Sequence, residues 1–331
     1  MDAWGSRNAA GAQERTRALA GRVRIPAILY AVGLLVVLLL VFTLGNRNFL
    51  SLYNLNTIAS YAAILLVVGL GQMCTILIGG IDLSVGGLMS FVSVLFVVSV
   101  KTVGFLAYPL CIAVGVIFGY LNGNLLTRIR IPSFIATLGT GGIMTSLALL
   151  VSPLPVDAPA ARYGMLEIVN GSVLHVGNLL LLTLLVFVVF YVLLRFTVIG
   201  KSIFYVGSNI TMSWMSGIDI VKTRNFAYIL SGVGAALAAI FLSCGQYGGD
   251  PALGKVYILN SIAAVVVGGT ALTGGTGGPI NTLIGAFVLS TMENGMNVVG
   301  VNAYFQQSIL GAVIVASVFL TFDRSKVSMV K

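Results

Sequence analysis

Residues 25–44 read Ile25-Pro26-Ala27-Ile28-Leu29-Tyr30-Ala31-Val32-Gly33-Leu34-Leu35-Val36-Val37-Leu38-Leu39-Leu40-Val41-Phe42-Thr43-Leu44. This is one mostly apolar run without a charge, and a helix needs about 20 apolar residues to cross a bilayer core. It is longer than the apolar core of a signal peptide, about 7–15 residues, and no small-residue cleavage site follows it. It is therefore expected to remain as a first membrane span. The polar, basic stretch 1–24 precedes it. Working outward, nine similar runs appear at 57–79, 86–101, 103–123, 133–152, 176–195, 226–245, 258–273, 280–298 and 305–322. The runs at 86–101 and 258–273 are short and abut glycines, which suggests tilted, broken or re-entrant segments. Irregular backbone at membrane depth is tolerated only where protein or a water-filled cavity surrounds it.

The charges fall between these runs. Arg7, Arg15, Arg17, Arg22, Arg24, Arg128, Arg130, Arg195, Lys201, Lys222, Arg224, Arg324, Lys326 and Lys331 share one side of a ten-span layout, 14 of the 18 basic residues. Arg47, Lys101, Arg162 and Lys255 take the other. Cytoplasmic loops are the ones enriched in Lys and Arg, so both termini are expected in the cytoplasm. The expected organisation is a cytoplasmic tail 1–24, one transmembrane domain 25–322 with a cytoplasmic connection 196–225, and a tail 323–331.

Composition agrees. Of 331 residues 58% are hydrophobic, mean hydropathy is +1.05, and 8% are charged. Soluble domains carry roughly 25% charged residues, so too few remain here to cover a water-exposed surface. The net charge of +9 follows from the positive-inside bias, not from a nucleic-acid partner. The basic ends are also suited to anionic lipid heads. Cys74, Cys111 and Cys244 lie in apolar runs with no metal-ligand spacing and read as small core residues. The single histidine, His175, reads as an interfacial residue.

Four blocks and one acid stand out. In Gly79-Gly80-Ile81-Asp82-Leu83-Ser84-Val85-Gly86, Asp82 or Ser84 can cap a helix start. A cap outweighs direct solute contact there, and a cap at a broken helix can serve both. Gly119-Tyr120-Leu121-Asn122-Gly123-Asn124 reads as a helix ending at Asn-Gly, followed by an arginine-bearing turn. Pro132 then starts the next helix, with Phe134 in its first turn. Between Gly268 and Pro279 lie six glycines, read as close helix contact or a breakpoint. No lysine follows them, so this is no phosphate loop. A weak echo relates Gly79–Ser84 to Gly268–Thr273. In the connection 196–225, Ser208 or Asn209 is placed to cap a short helix and Gly217 to end it. Met212, Trp214 and Met215 on that helix have no evident core to join, which marks either a partner surface or the lipid interface. Glu293, inside a span, reads equally as a functional acid or as one paired near the membrane edge. The loop 153–173, with three prolines and one basic residue, reads as external.

Together these blocks resemble the permease subunits of bacterial ATP-binding-cassette sugar importers of the ribose type, over about residues 30–322. The resemblance is carried by Gly79–Gly86, Asn122–Thr140, Gly200–Ile218 and Ile262-Ala263-Ala264-Val265-Val266-Val267-Gly268-Gly269-Thr270. It implies an all-α polytopic protein of the vitamin-B12-type importer fold in the bacterial inner membrane. It also implies a second permease subunit, two cytoplasmic ATPases that bind ATP and Mg, and a periplasmic solute-binding protein. The chain itself is expected to do no chemistry. A polar path is expected at Asp82, Asn122, Phe134, Glu293 and Asn294, and an ATPase contact at Gly207, Ser208, Asn209, Met212, Trp214, Met215, Ser216, Gly217 and Ile218. There are two departures. An alanine pair and an arginine usual after Gly-Asn are replaced by Ile210-Thr211-Met212-Ser213-Trp214-Met215, and an acidic Glu-Leu-Asp is replaced by Ile258-Leu259-Asn260. The rival readings are an ion-coupled transporter using Asp82 and Glu293, and an intramembrane hydrolase using His175.

Overall fold

The computed structural model describes residues 27–173 and 176–321. Both basic tails and His175 lie outside the described residues, and with them the expectations for the termini. Thirteen α-helices follow one another among the described residues: α1 Ala27–Gly45, α2 Leu52–Leu77, α3 Ser84–Val103, α4 Ala107–Thr127, α5 Ser133–Val151, α6 Tyr163–Asn170, α7 Asn178–Phe196, α8 Val198–Ser208, α9 Ile210–Met215, α10 Ile220–Gln246, α11 Lys255–Val267, α12 Pro279–Val299 and α13 Ala303–Thr321. Each apolar run in the sequence contains a helix among the described residues. Among the described residues, six segments are long and apolar enough to cross a membrane: α1, α2, the α3–α4 run, α5, α7 and α10.

Local chemistry sets the helix boundaries. Ser51 caps α2, accepting from the Asn54 N–H at 3.3 Å. Thr197 caps α8, accepting from Gly200 at 3.1 Å, and Pro279 occupies the first turn of α12, where its missing N–H costs nothing. Asp219 caps α10 through the Lys222 N–H at 3.0 Å. That backbone bond holds the Asp219 carboxyl below the usual carboxylate range.

The two most apolar segments are the least buried. The runs of Leu and Val in α1 and α7 lie mostly on the outside, whereas α2 and α10 are enclosed. Lipid is as apolar as leucine, so it exerts no hydrophobic drive that would bury such side chains. The enclosed helices instead carry small residues that admit close backbone approach. Gly115 and Gly119 of α4 meet the α10 backbone at Gly232, Tyr228 and Ile229, and Gly71 of α2 meets Leu230 and Ser231. The three cysteines are buried in this core.

Three expectations need correction. Helix α4 does not end at Asn122-Gly123 but runs on to Thr127. Gly123 serves there as a packing site against Asn225, not as a stop. The run at 86–101 is not short: α3 has 20 residues. The coupling segment 207–218 is not one helix. Asn209 is extended, at φ −161° and ψ 106°, and separates α8 from α9.

Among the described helices formed by the ten apolar runs, α11 is the shortest, with 13 residues, about 20 Å of a bilayer core of about 30 Å. The missing depth is supplied by residues 247–254. Strand Gly248–Gly249 pairs antiparallel with Val156–Asp157. The chain then descends along α3: the Asp250 N–H donates to Ser93 Oγ at 3.1 Å, and the Gly254 N–H to Ser90 Oγ at 3.0 Å. Gly254 finally meets Gly86 backbone to backbone. This re-entrant segment has α3 on one side and a polar cleft on the other, surroundings that irregular backbone at such depth tolerates.

The loops sort into two ends. At one, the Gly275 N–H donates to Leu77 O at 2.9 Å, and Thr127 Oγ1 donates to Asn225 Oδ1 at 3.0 Å. At the other, Tyr108 donates to Met165 O at 2.8 Å and Asn170 to Cys244 O at 2.8 Å. The first end carries Arg128, Arg130, Lys201, Lys222 and Arg224.

Candidate functional site

Between α2 and α3 the chain breaks, and Asp82 fills the break. It is 1% exposed. One carboxylate oxygen accepts from the Ser84 N–H at 2.9 Å and the Ser84 hydroxyl at 2.6 Å; the other accepts from the Ser231 hydroxyl at 2.7 Å. The network continues outward. Asn122 Nδ2 donates to Ser84 Oγ at 2.7 Å, and Thr140 donates to Asn122 Oδ1 at 2.7 Å. Gln72, with its amide oriented to suit its neighbours, donates to the Asp82 carbonyl at 3.0 Å and accepts from its N–H at 3.2 Å. Thr137 accepts from the Leu83 N–H at 3.0 Å. Five elements are thus pinned at one buried carboxylate. Its lone pairs are occupied by donors, so it acts as a cap and organiser.

A separate cleft of ≈ 350 Å³ opens between α2, α10, the re-entrant segment, α11 and α12. Its polar walls are Tyr61, Gln246, Asp250, Tyr257, Asn260, Ser290, Glu293 and Asn297. It contains two carboxylates, two amides beside Gln246, and hydroxyls, but no cation. The break before α11 makes this possible, because the descending segment brings Asp250 to the level of α12. Asn260, which replaces an acid expected from the resemblance, is one wall.

The five path residues part company here. Glu293 lines the cleft and is exposed on the isolated chain. Asp82 and Asn122 belong to the buried network. Asn294 is buried, with Oδ1 unpartnered among the described residues. Neighbours on a helix point about 100° apart, so Glu293 and Asn294 cannot share a face. Phe134 is 55% exposed and lines neither the cleft nor the network. Tyr61, Gln246, Asp250, Tyr257, Ser290 and Asn297 were not singled out in the sequence; none sits in a recognisable motif.

The connection 196–225 folds as α8 and α9. Asn209 caps α9, accepting from the Met212 N–H at 3.0 Å, and Gly217 closes it at φ +80°. Ser208 instead bonds back to Phe204 O, and Ser216 to Met212 O. Gly207 presses on Leu77 O and Gly275 N so closely that a Cβ has no room. The end of α8 is therefore seated on the end of α2. Ile218 packs partly against the core. Met212, Trp214 and Met215 are 61%, 69% and 72% exposed.

The chain matches the family model described as branched-chain amino acid transport system / permease component, over residues 54–318. Among curated relatives, ribose import permease protein RbsC of Bacillus subtilis is 34% identical over 301 residues, 88% of this chain and 91% of the relative. The probable ABC transporter permease protein YphD of Escherichia coli is 35% identical, covering 89% and 91%. The D-allose transport system permease protein AlsC of Escherichia coli is 30% identical, covering 84% and 86%. No solved structure matches at a significant level.

Proposed function

As a member of the family of permease components of branched-chain amino acid transport systems, the chain is the membrane subunit of an ATP-driven importer, and we propose that the solute it passes is a monosaccharide. The ion-coupled and hydrolase alternatives are thereby set aside. The observation that carries the sugar is the lining of the cleft. Its amides, hydroxyls and two carboxylates suit the hydroxyls of a sugar, and no cation is there to receive the carboxylate of an amino acid. The relatives named for ribose and allose support the same choice.

The cleft is open on the isolated chain, and an acid facing hydrocarbon is expensive. A second permease subunit that closes it supplies the missing wall and leaves Glu293 on a polar path. The end bearing α8 and α9 faces the cytoplasm in this reading, in the inner membrane of a bacterium, because basic residues collect there. A periplasmic solute-binding protein delivers the sugar to the opposite end. Cytoplasmic ATPases, which hold ATP and Mg, dock on α9. Their motion reaches α2 through the seat of Gly207 on Leu77, and α2 is joined through Gln72 to the break at Asp82. Such a linkage suits alternating access in a type II importer fold.

Glu293→Gln is expected to accumulate normally and to lower uptake of labelled ribose about tenfold or more, the cost of one charged hydrogen bond. Wild-type uptake at equal abundance sinks the path role, and uptake of labelled leucine in place of ribose sinks the sugar. Trp214→Ala is expected to weaken co-purification of the ABC ATPase about thirtyfold, since losing an aromatic anchor costs about 2 kcal/mol or more. The same loss ties this end to the cytoplasm. An intact complex with normal ATP hydrolysis overturns the docking surface.

A further inference from the structure

A second cavity, of ≈ 760 Å³, lies at the end of the bundle that carries α8 and shares no lining residue with the cleft. The last turn of α7, α8 and the first turn of α12 form its walls. Arg195 and Lys201 bring two cations, Tyr191 and Tyr205 bring hydroxyls, and no carboxylate is among the lining residues. The start of α12 has no side-chain cap, so first-turn N–H groups add to the positive wall. The rim differs in kind. Phe196 is exposed there, as is Ile280, on a chain whose outer surface meets lipid.

A positive hollow with an apolar rim calls for a ligand with an anionic head and apolar tails. We propose that the cavity binds the phosphate headgroup of an anionic phospholipid, with the acyl chains running along Phe196 and Ile280. Basic pockets between transmembrane helices near the membrane surface are suited to such heads. A free phosphate answers the cations equally well but leaves the apolar rim unused.

The test is a lipid titration of the delipidated, detergent-purified permease, followed by native mass spectrometry. Phosphatidylglycerol is expected to bind and phosphatidylcholine not to. Each cation near a charged lipid surface contributes about 1 kcal/mol, so Arg195→Ala with Lys201→Ala is expected to weaken phosphatidylglycerol binding about thirtyfold. Lys222→Ala, at the same end and paired with Asp219 instead, is expected to bind as the wild type does. Equal binding of phosphatidylcholine, or undiminished binding by the double variant, overturns the proposal. Full displacement by inorganic phosphate identifies a free-anion site and overturns the lipid as its source. Should the double variant not fold, the thermal shift of the wild type decides: phosphatidylglycerol must raise the melting temperature where phosphatidylcholine does not, and equal shifts overturn the site.

Discussion

Asp82→Ala is expected to remove most of the folded permease from the membrane, while Asp82→Asn leaves it in place. Alanine strips the acceptor from three donors, the Ser84 N–H, the Ser84 hydroxyl and the Ser231 hydroxyl. Each buried group left unpaired costs about 1–3 kcal/mol, so the sum is about 3 kcal/mol or more. A typical domain has about 5–15 kcal/mol in total. Asparagine keeps an acceptor for Ser84 and can donate to the Ser231 oxygen, which can turn its own proton elsewhere. Fluorescence-detected size exclusion after a heating series reads both variants. A wild-type melting curve for Asp82→Ala would remove the carboxylate from its organising role. Equal loss in Asp82→Asn would show that the charge itself is what the fold needs.

Gly119→Ala and Gly139→Ala are expected to act in opposite directions. A Cβ at Gly119 lands on the α10 backbone at Tyr228 and Ile229, where no flexible side chain can yield. Overpacking typically costs about 1–3 kcal/mol, and a backbone-to-backbone clash belongs at the upper end or beyond. Gly139 has nothing within 4 Å of the same added atom. Alanine there removes the chain-entropy cost of a helical glycine, a gain of roughly 0.5–1 kcal/mol. Melting temperatures in detergent check the pair. A stable Gly119→Ala would mean that α4 and α10 can part without cost.

The apolar runs were legible because a bilayer core demands about 20 apolar residues of a spanning helix. The grouping of basic residues was also legible, since Arg128, Lys201 and Arg224 do lie at one end of the bundle. Asn122-Gly123 misled. In water the pair favours a turn, but within this bundle Gly123 is placed by its approach to Asn225, and packing overrides propensity. The cleft was the least legible part. Tyr61, Gln246, Asp250, Asn260 and Ser290 come from separate elements and share no spacing, so only tertiary packing gathers them. Glu293 could be noticed as an acid in a span. Its face could not be read, because Asn294 beside it points into the core.

The exposure of the two most apolar helices has a consequence for biosynthesis. A segment leaves the translocon for lipid according to its own apolarity. α1 and α7 satisfy that condition alone. α12 carries Asn281, Thr282, Ser290, Thr291, Glu293, Asn294 and Asn297 and is not among the helices apolar enough to cross. Its neighbours α1 and α2 are made long before it. The nascent chain therefore prepares a protein-lined berth for α12 ahead of its synthesis, and the last third of the protein enters the bilayer as a guest of the first.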